Sequence, residues 1–337
     1  MRSLFELVVA AACWGGGTVT LKVALGGIAP MTLLMIELTC ASLVVVSVAA
    51  FRGRIAPPRD LRRIALAGVL EPGMANAALT FGLGYASASD ASLLSGTESL
   101  FVTGLAVVLL GQRVHRTAVV AVVTATAGVI VLGGSAPTAQ AWAGNLLVLG
   151  GALAAAGYSL PVAGVTDRTH ALTITAYQFG AGTLVSLPFA AVQWSMAGSF
   201  GVAGAETRHW AAAVAGGVFG TAASFLLYNH AIGDVGVTPA AMVLNLIPLF
   251  GLAGAVVVLG ESLGRWQVLG GVLILAGMSV FELAERATLA DERRRARHAL
   301  LPPPADTLAA FVHHLAETPV SIPLPGSSQA TALRSPR

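Results

Sequence analysis

Only 10% of this 337-residue chain is charged. Its 19 basic residues are one lysine, Lys22, and, by subtraction, eighteen arginines. The formal net charge of +3 is no nucleic-acid signal, because the arginines gather beside apolar segments and in the tail. There are 2 cysteines, Cys13 and Cys40, each inside an apolar segment, so neither a disulfide framework nor a CxxC metal site can be built. No Asn-x-Ser/Thr sequon occurs. The chain also lacks a P-loop, an HExxH pair and a GxSxG elbow. Nothing in it reads as a soluble enzyme, and no cofactor or metal is expected.

What it has instead is hydrophobic length. Apolar residues make up 55% of the chain, which places it among membrane proteins. The stretch Pro239–Gly260 runs without a charge, carries Pro248 at its middle and closes on Gly260-Glu261. It has the ~20 residues that a bilayer crossing requires. An earlier copy lies at Ser87–Gln112. Aligning Gly84–Leu132 with Gly233–Phe281, an offset of 149, gives 15 identities in 49 positions, among them Leu100/Leu249, Phe101/Phe250, Gly111/Gly260, Arg116/Arg265 and Gly128/Gly277. A random register of this composition would give about 4–5, so the chain is duplicated.

Ten spans are expected, near 4–25, 30–51, 64–83, 89–110, 117–134, 142–162, 172–194, 209–231, 236–259 and 267–284. The first is read as a retained span, since the apolar run continues past Trp14 to Leu25, too long for a signal core. Arg52, Arg54, Arg59, Arg62, Arg63, Arg113, Arg116 and Arg168 fall on one side, and only Arg208 and Arg265 on the other. The arginine-rich side is cytoplasmic by the positive-inside rule, so both termini are cytoplasmic. Five spans per copy invert the second copy relative to the first. The expected architecture is thus an all-α membrane protein of ten transmembrane helices in two inverted five-helix repeats. The repeats occupy 1–134 and 135–284, and 285–337 form a cytoplasmic, largely disordered tail rich in Pro and Ser toward its end. Inverted repeats are the usual construction of secondary transporters, with the substrate site near the midplane. Gly128–Gly133 and Gly216–Gly220 offer small residues for helix contacts.

Ionisable residues within spans are costly and mark a functional site by default. The first copy has Lys22, Glu37, Glu71 and Glu98; the second has only polar groups at comparable depth, Gln178, Tyr228, Asn229, His230 and Asn245. Lys22 lies near the outer end of its span, able to snorkel to the headgroups or to neutralise Glu37 or Glu98. Glu71 precedes Pro72, which removes the hydrogen bond to the Gly68 carbonyl and disfavours helix at Glu71 itself. A broken helix beside a carboxylate is the layout of a proton or cation site, or else a kink whose glutamate reaches water. Glu98 falls in the middle of its span. A carboxyl that is neutral when sealed from water and ionised when a cavity opens suits a proton-coupled carrier. Candidate substrate or coupling-ion residues are therefore Glu98, Glu37, Glu71, Lys22, Gln178, Tyr228, Asn229 and Asn245.

Trp14-Gly15, Pro30, the Ala-Ser-x-x-Ser-Leu-Leu run before span 4, Gly111-Gln112, Gly260-Glu261 and Pro248 together resemble the EamA-type branch of the drug/metabolite transporter superfamily over residues 4–284. That resemblance implies ten helices in two inverted repeats and export of amino acids, related metabolites or drugs across the bacterial inner membrane. This chain departs from the pattern at Ser99, where the second copy has Pro248, at Gln112 opposite Glu261, and at Glu37, where many members carry arginine. The expected function is secondary transport of a small metabolite, amino-acid-like compound or drug, by proton coupling or exchange. The alternatives are a non-transporting membrane sensor or interaction protein and a lipid-modifying membrane enzyme. Expected partners are the substrate and the lipid bilayer, with a homodimer allowed and no nucleic acid.

The arginine bias makes a direct prediction about sidedness. A reporter active only in the periplasm should stay silent when fused after Leu300 and become active when inserted at Ala139. The reverse pattern would overturn both the orientation and the inverted repeat.

Overall fold

The computed structural model describes residues 2–280 apart from 55, 111–115, 135–137, 164, 166–167, 236–242 and 244. The tail assigned to 285–337 lies outside the described residues. Every regular element among them is helical.

Helix α1 (Arg2–Ala24) turns through 25–29 into α2 (Pro30–Phe51). Pro30 opens α2 at a position where its missing N–H costs nothing and its fixed φ suits the helix. Then follow α3 (Leu61–Gly68), a π-helical segment (Val69–Met74) and α4 (Ala75–Tyr85), forming one rod interrupted in its middle. Next come α5 (Ala88–Ser95), α6 (Glu98–Leu110), α7 (Arg116–Gly133) and α8 (Ala139–Ala163). The remainder is α9 (Ala171–Ala197), α10 (Thr207–Ala215), a second π-helical segment (Gly216–Ala223), α11 (Ser224–Val235), α12 (Ile247–Leu259) and α13 (Arg265–Val280). Among the described residues five helices have the length and apolarity to cross a bilayer: Arg2–Ala24, Pro30–Phe51, Leu61–Tyr85, Ala139–Tyr158 and Thr207–Tyr228. Val119–Gly133, Ile247–Leu259 and Arg265–Val280 are shorter apolar helices.

The two breaks in the first half recur 149 residues later. The first π-helical segment, 69–74, maps onto 218–223 within the second. The Gly96-Thr97 turn between α5 and α6 maps onto the Asn245-Leu246 turn before α12. The span expected at 89–110 is therefore not one helix. Gly96 and Thr97 donate their amides three residues back, to Leu93 and Leu94, and the Thr97 hydroxyl donates to the Leu94 carbonyl at 2.7 Å. Tightened bonds of this kind end a helix. Likewise, the described helix of the stretch expected at 236–259 begins only at Ile247.

The leading helices of each half lie among the later helices of the other. Helix α1 packs on α11, α12 and the second π-helical segment, whereas α8 packs on α3, α4 and α6. The core between them joins Leu21, Leu33, Leu83 and Leu94 to Ile274 and Met278. At the start of α9 the His170 side chain caps the helix, its Nδ1 accepting from the Leu172 amide at 3.2 Å. Partial burial, then the nearby Arg54 and Arg52 charges, hold this imidazole below its ordinary pKa and keep Nδ1 available as an acceptor.

Helices α7 and α13 cross at glycines. A Cβ on Gly128 would stand 2.7 Å from the Ile274 amide nitrogen and 2.8 Å from the Gly270 carbonyl oxygen, so the two backbones touch. Gly128→Val should therefore cost about 1–3 kcal/mol through overpacking and lower the thermal unfolding temperature in detergent. Gly180→Ala, which meets nothing within 4 Å, should leave it unchanged. Equal melting of G128V and wild type would show that the crossing is not tight.

Candidate functional site

The interruption at Glu71 begins with Pro72. A proline cannot donate to the helix ladder and pushes the preceding residue out of the helical region. Glu71 accordingly adopts φ −144° and ψ 124°, extended backbone inside an otherwise helical rod, and its peptide bond to Pro72 is cis. Its carbonyl, turned out of the ladder, accepts from Gln178 Nε2 at 2.8 Å. Gln178 is buried on α9, and Gly182 one turn along brings that helix against the proline: a Cβ there would lie 2.9 Å from Pro72 Cγ. The carbonyl exposed by the break thus has a partner.

Glu98 begins α6 and stands in its first turn. There the unpaired amides of a helix start favour a carboxylate, which explains a glutamate that a continuous span did not. Glu71 and Glu98 lie within coulombic range of each other, and both act on the hydroxyls of Tyr158 and Tyr228. The Tyr158 hydroxyl also lies near the Gln178 side chain. These four side chains sit deep among the helices. Trp14 packs beside them, meeting Tyr228 edge to face at 5.6 Å and Phe225 at 5.1 Å; Phe225 meets Phe179 at 5.2 Å. Among the described residues neither glutamate forms a salt bridge.

Glu37 and Lys22 find their partners elsewhere. Glu37 on α2 is 3% exposed and accepts from Thr221 Oγ1 at 2.5 Å, while its Oε2 has no partner among the described residues. Thr221 stands in the second π-helical segment. Lys22 pairs with neither Glu37 nor Glu98; its Nζ donates to the carbonyls of Leu83 and Ala86 at 2.7 and 2.5 Å. The expected counter-charge role gives way because the carboxyl-terminal end of α4 presents unpaired carbonyls within reach of Nζ. Asn245 is half-buried in the turn before α12, and the Asn229 side chain lies outside the described residues.

Sequence reasoning missed Tyr158, Thr221 and a second polar cluster. In that cluster the Glu261 carboxylate accepts from the amides of Ala88 and Ser89, both at 2.9 Å, and from Ser89 Oγ at 2.6 Å. Gln267 Nε2 donates to Asp90 Oδ1 at 2.8 Å, and Asn145 Nδ2 reaches Asp90 Oδ2 at 3.4 Å. The Ala-Ser-x-x-Ser-Leu-Leu run and Gly260-Glu261 were both visible as motifs; that one caps the other was not. Tyr158 offered only a lone phenol in an apolar span, the pattern of an interfacial aromatic.

Gln178 holds the broken rod through two polar groups that have no water to turn to. Gln178→Ala should destabilise the protein by about 1–3 kcal/mol, the cost of leaving a buried carbonyl unpartnered. Thermal unfolding in detergent measures this, and an unchanged midpoint would mean that another donor reaches the Glu71 carbonyl.

The chain matches the EamA-like transporter family over residues 1–134 and 142–282. It is similar to a probable terminal-alkyne amino-acid exporter of Streptantibioticus cattleyicolor, at 29% identity over 87% of this chain and 96% of that protein. It is also similar to an uncharacterized transporter of Archaeoglobus fulgidus, at 22% identity over 83% of this chain and 98% of that one. A crystal structure covering 85% of this chain and 98% of its own superposes with a TM-score of 0.59 at 18% identity, a likeness of fold alone. Two matched regions, one on each half of a helical membrane chain, settle the assignment: the protein belongs to the EamA-like transporter family and is a transporter rather than an enzyme.

Proposed function

We propose that the protein is a proton-coupled secondary exporter of a small amino-acid-like or amphipathic metabolite. In this reading ten helices form two inverted five-helix repeats in the bacterial inner membrane, with both termini in the cytoplasm. What supports it is the pair of Glu71 and Glu98, two carboxyls at two helix breaks that would line a central cleft, with no basic side chain paired to either among the described residues. Two like charges enclosed together cannot both be ionised without a compensating cation or proton. Such a pair exchanges protons when the cleft opens to water and gives them up to a competing polar substrate. The tyrosine hydroxyls supply hydrogen bonds, and Trp14 supplies an apolar face for the rest of the molecule. Export as the direction is supported by the exporter among the relatives.

Glu98→Gln keeps size and hydrogen-bonding capacity and removes only titration. In proteoliposomes it should leave substrate exchange at equal pH while abolishing uptake or release driven by a pH gradient. Wild-type flux under the gradient would remove Glu98 from the coupling role and move the test to Glu71→Gln.

A further inference from the structure

We propose that Glu261 is the latch of a gate that closes the arginine-poor end of the helix bundle, and that its release from the start of α5 is a step of the transport cycle. The proposal rests on the transporter reading and goes beyond the cleft to the opposite end of the same helices.

The corner Ala86-Ser87 is gripped from both sides. On one side α4 ends, and Lys22 from α1 places its ammonium on the carbonyls of Leu83 and Ala86. On the other side α5 begins, and Glu261 places both carboxylate oxygens on the Ala88 and Ser89 amides, with the Ser89 hydroxyl as a third donor. Each charge complements the helix end that it reaches. The two charges also attract each other across the corner. Gln267, two residues into α13, adds a bond to Asp90 and a long one of 3.4 Å to Ser87 Oγ. The residues bridged are 173 and 172 positions apart, so the contacts tie the end of α12 in the second half to a helix of the first.

The latch also has something to close over. One turn further along α5, Ser92 is 3% exposed, and its hydroxyl has no partner among the described residues. It lies against Gly251 of α12, where an added Cβ would meet the Ser92 side chain. The α5–α12 seam beneath Glu261 is thus closed. A seam closed in this way belongs to one state of an alternating-access carrier, and the other state requires it to part. Of the hydrogen bonds that span it, those of Glu261 are charge-assisted and threefold.

The test uses the full chain in a Cys13→Ala, Cys40→Ala background. Two reporters are added separately: Ser92→Cys under the latch, and Gly157→Cys beside Leu70 next to the cleft, where a Cβ meets only Leu70 Cδ1 at 3.7 Å. A membrane-impermeant maleimide is applied to intact cells for the first and to inside-out vesicles for the second. Glu261→Ala should raise the labelling rate of S92C by about tenfold or more and lower that of G157C, because opening one end populates the state closed at the other. Glu261→Gln, which loses one acceptor and keeps the side-chain length, should give an intermediate rate. If S92C labels no faster in the variant, the latch is wrong. If both reporters label faster, Glu261 merely holds the fold together and the gate is equally wrong. Failure of the transporter reading shows separately, as wild-type protein without flux of any kind.

Discussion

A backbone amide or carbonyl released from a helix inside a bilayer has no water to bond to, and every interruption must be repaired from within the protein. This chain interrupts its helices repeatedly and repairs the interruptions with side chains, some local and several from far along the chain. Gln178 takes the Glu71 carbonyl, and Ser224 donates to the carbonyls of Gly220 and Thr221 in the second π-helical segment. Lys22 closes α4 and Glu261 opens α5. The repairs are also the ties between the halves, since most of the repairing residues lie far along the chain from what they repair. Polar chemistry at the breaks and cohesion of the fold are therefore the same set of bonds.

The breaks explain how acidic groups come to stand inside the helices. Glu71 is extended because it precedes Pro72, and Glu98 is tolerated because it begins a helix. Neither carboxyl would be expected on the wall of an unbroken rod. The aromatic contacts of Trp14, Phe225 and Phe179 pack beside them, with the Tyr228 ring on Trp14.

Much of this was legible in the residues themselves. The kink at Pro72 follows from local covalent geometry, and the family motifs and the repeat follow from identity at a fixed offset. The break at Gly96-Thr97 was not read, because a single glycine in an apolar run does not announce a turn until the Thr97 hydroxyl and the tightened amides are seen. Lys22 was placed correctly near a span end, yet its partners proved to be carbonyls, which have no signature in a sequence. Glu37 was seen as a deep charge, but Thr221 lies 184 positions away and is an ordinary threonine until the fold brings it to 2.5 Å. The pairing of Glu261 with Ser89 failed to show for the same reason. Tertiary partners of single polar side chains leave no periodicity to detect.

The two π-helical segments share a position in the duplicated plan but not a chemistry. Where the first has Glu71-Pro72, the second has Gly220-Thr221. Proline has no amide hydrogen, so regular helix through the first segment would always lack one bond of its ladder. The second retains all its amides, and a one-residue slip of register would convert its wide turns to α-helix and rotate everything beyond them. The two halves share the position of the break, yet covalent structure enforces it only in the first.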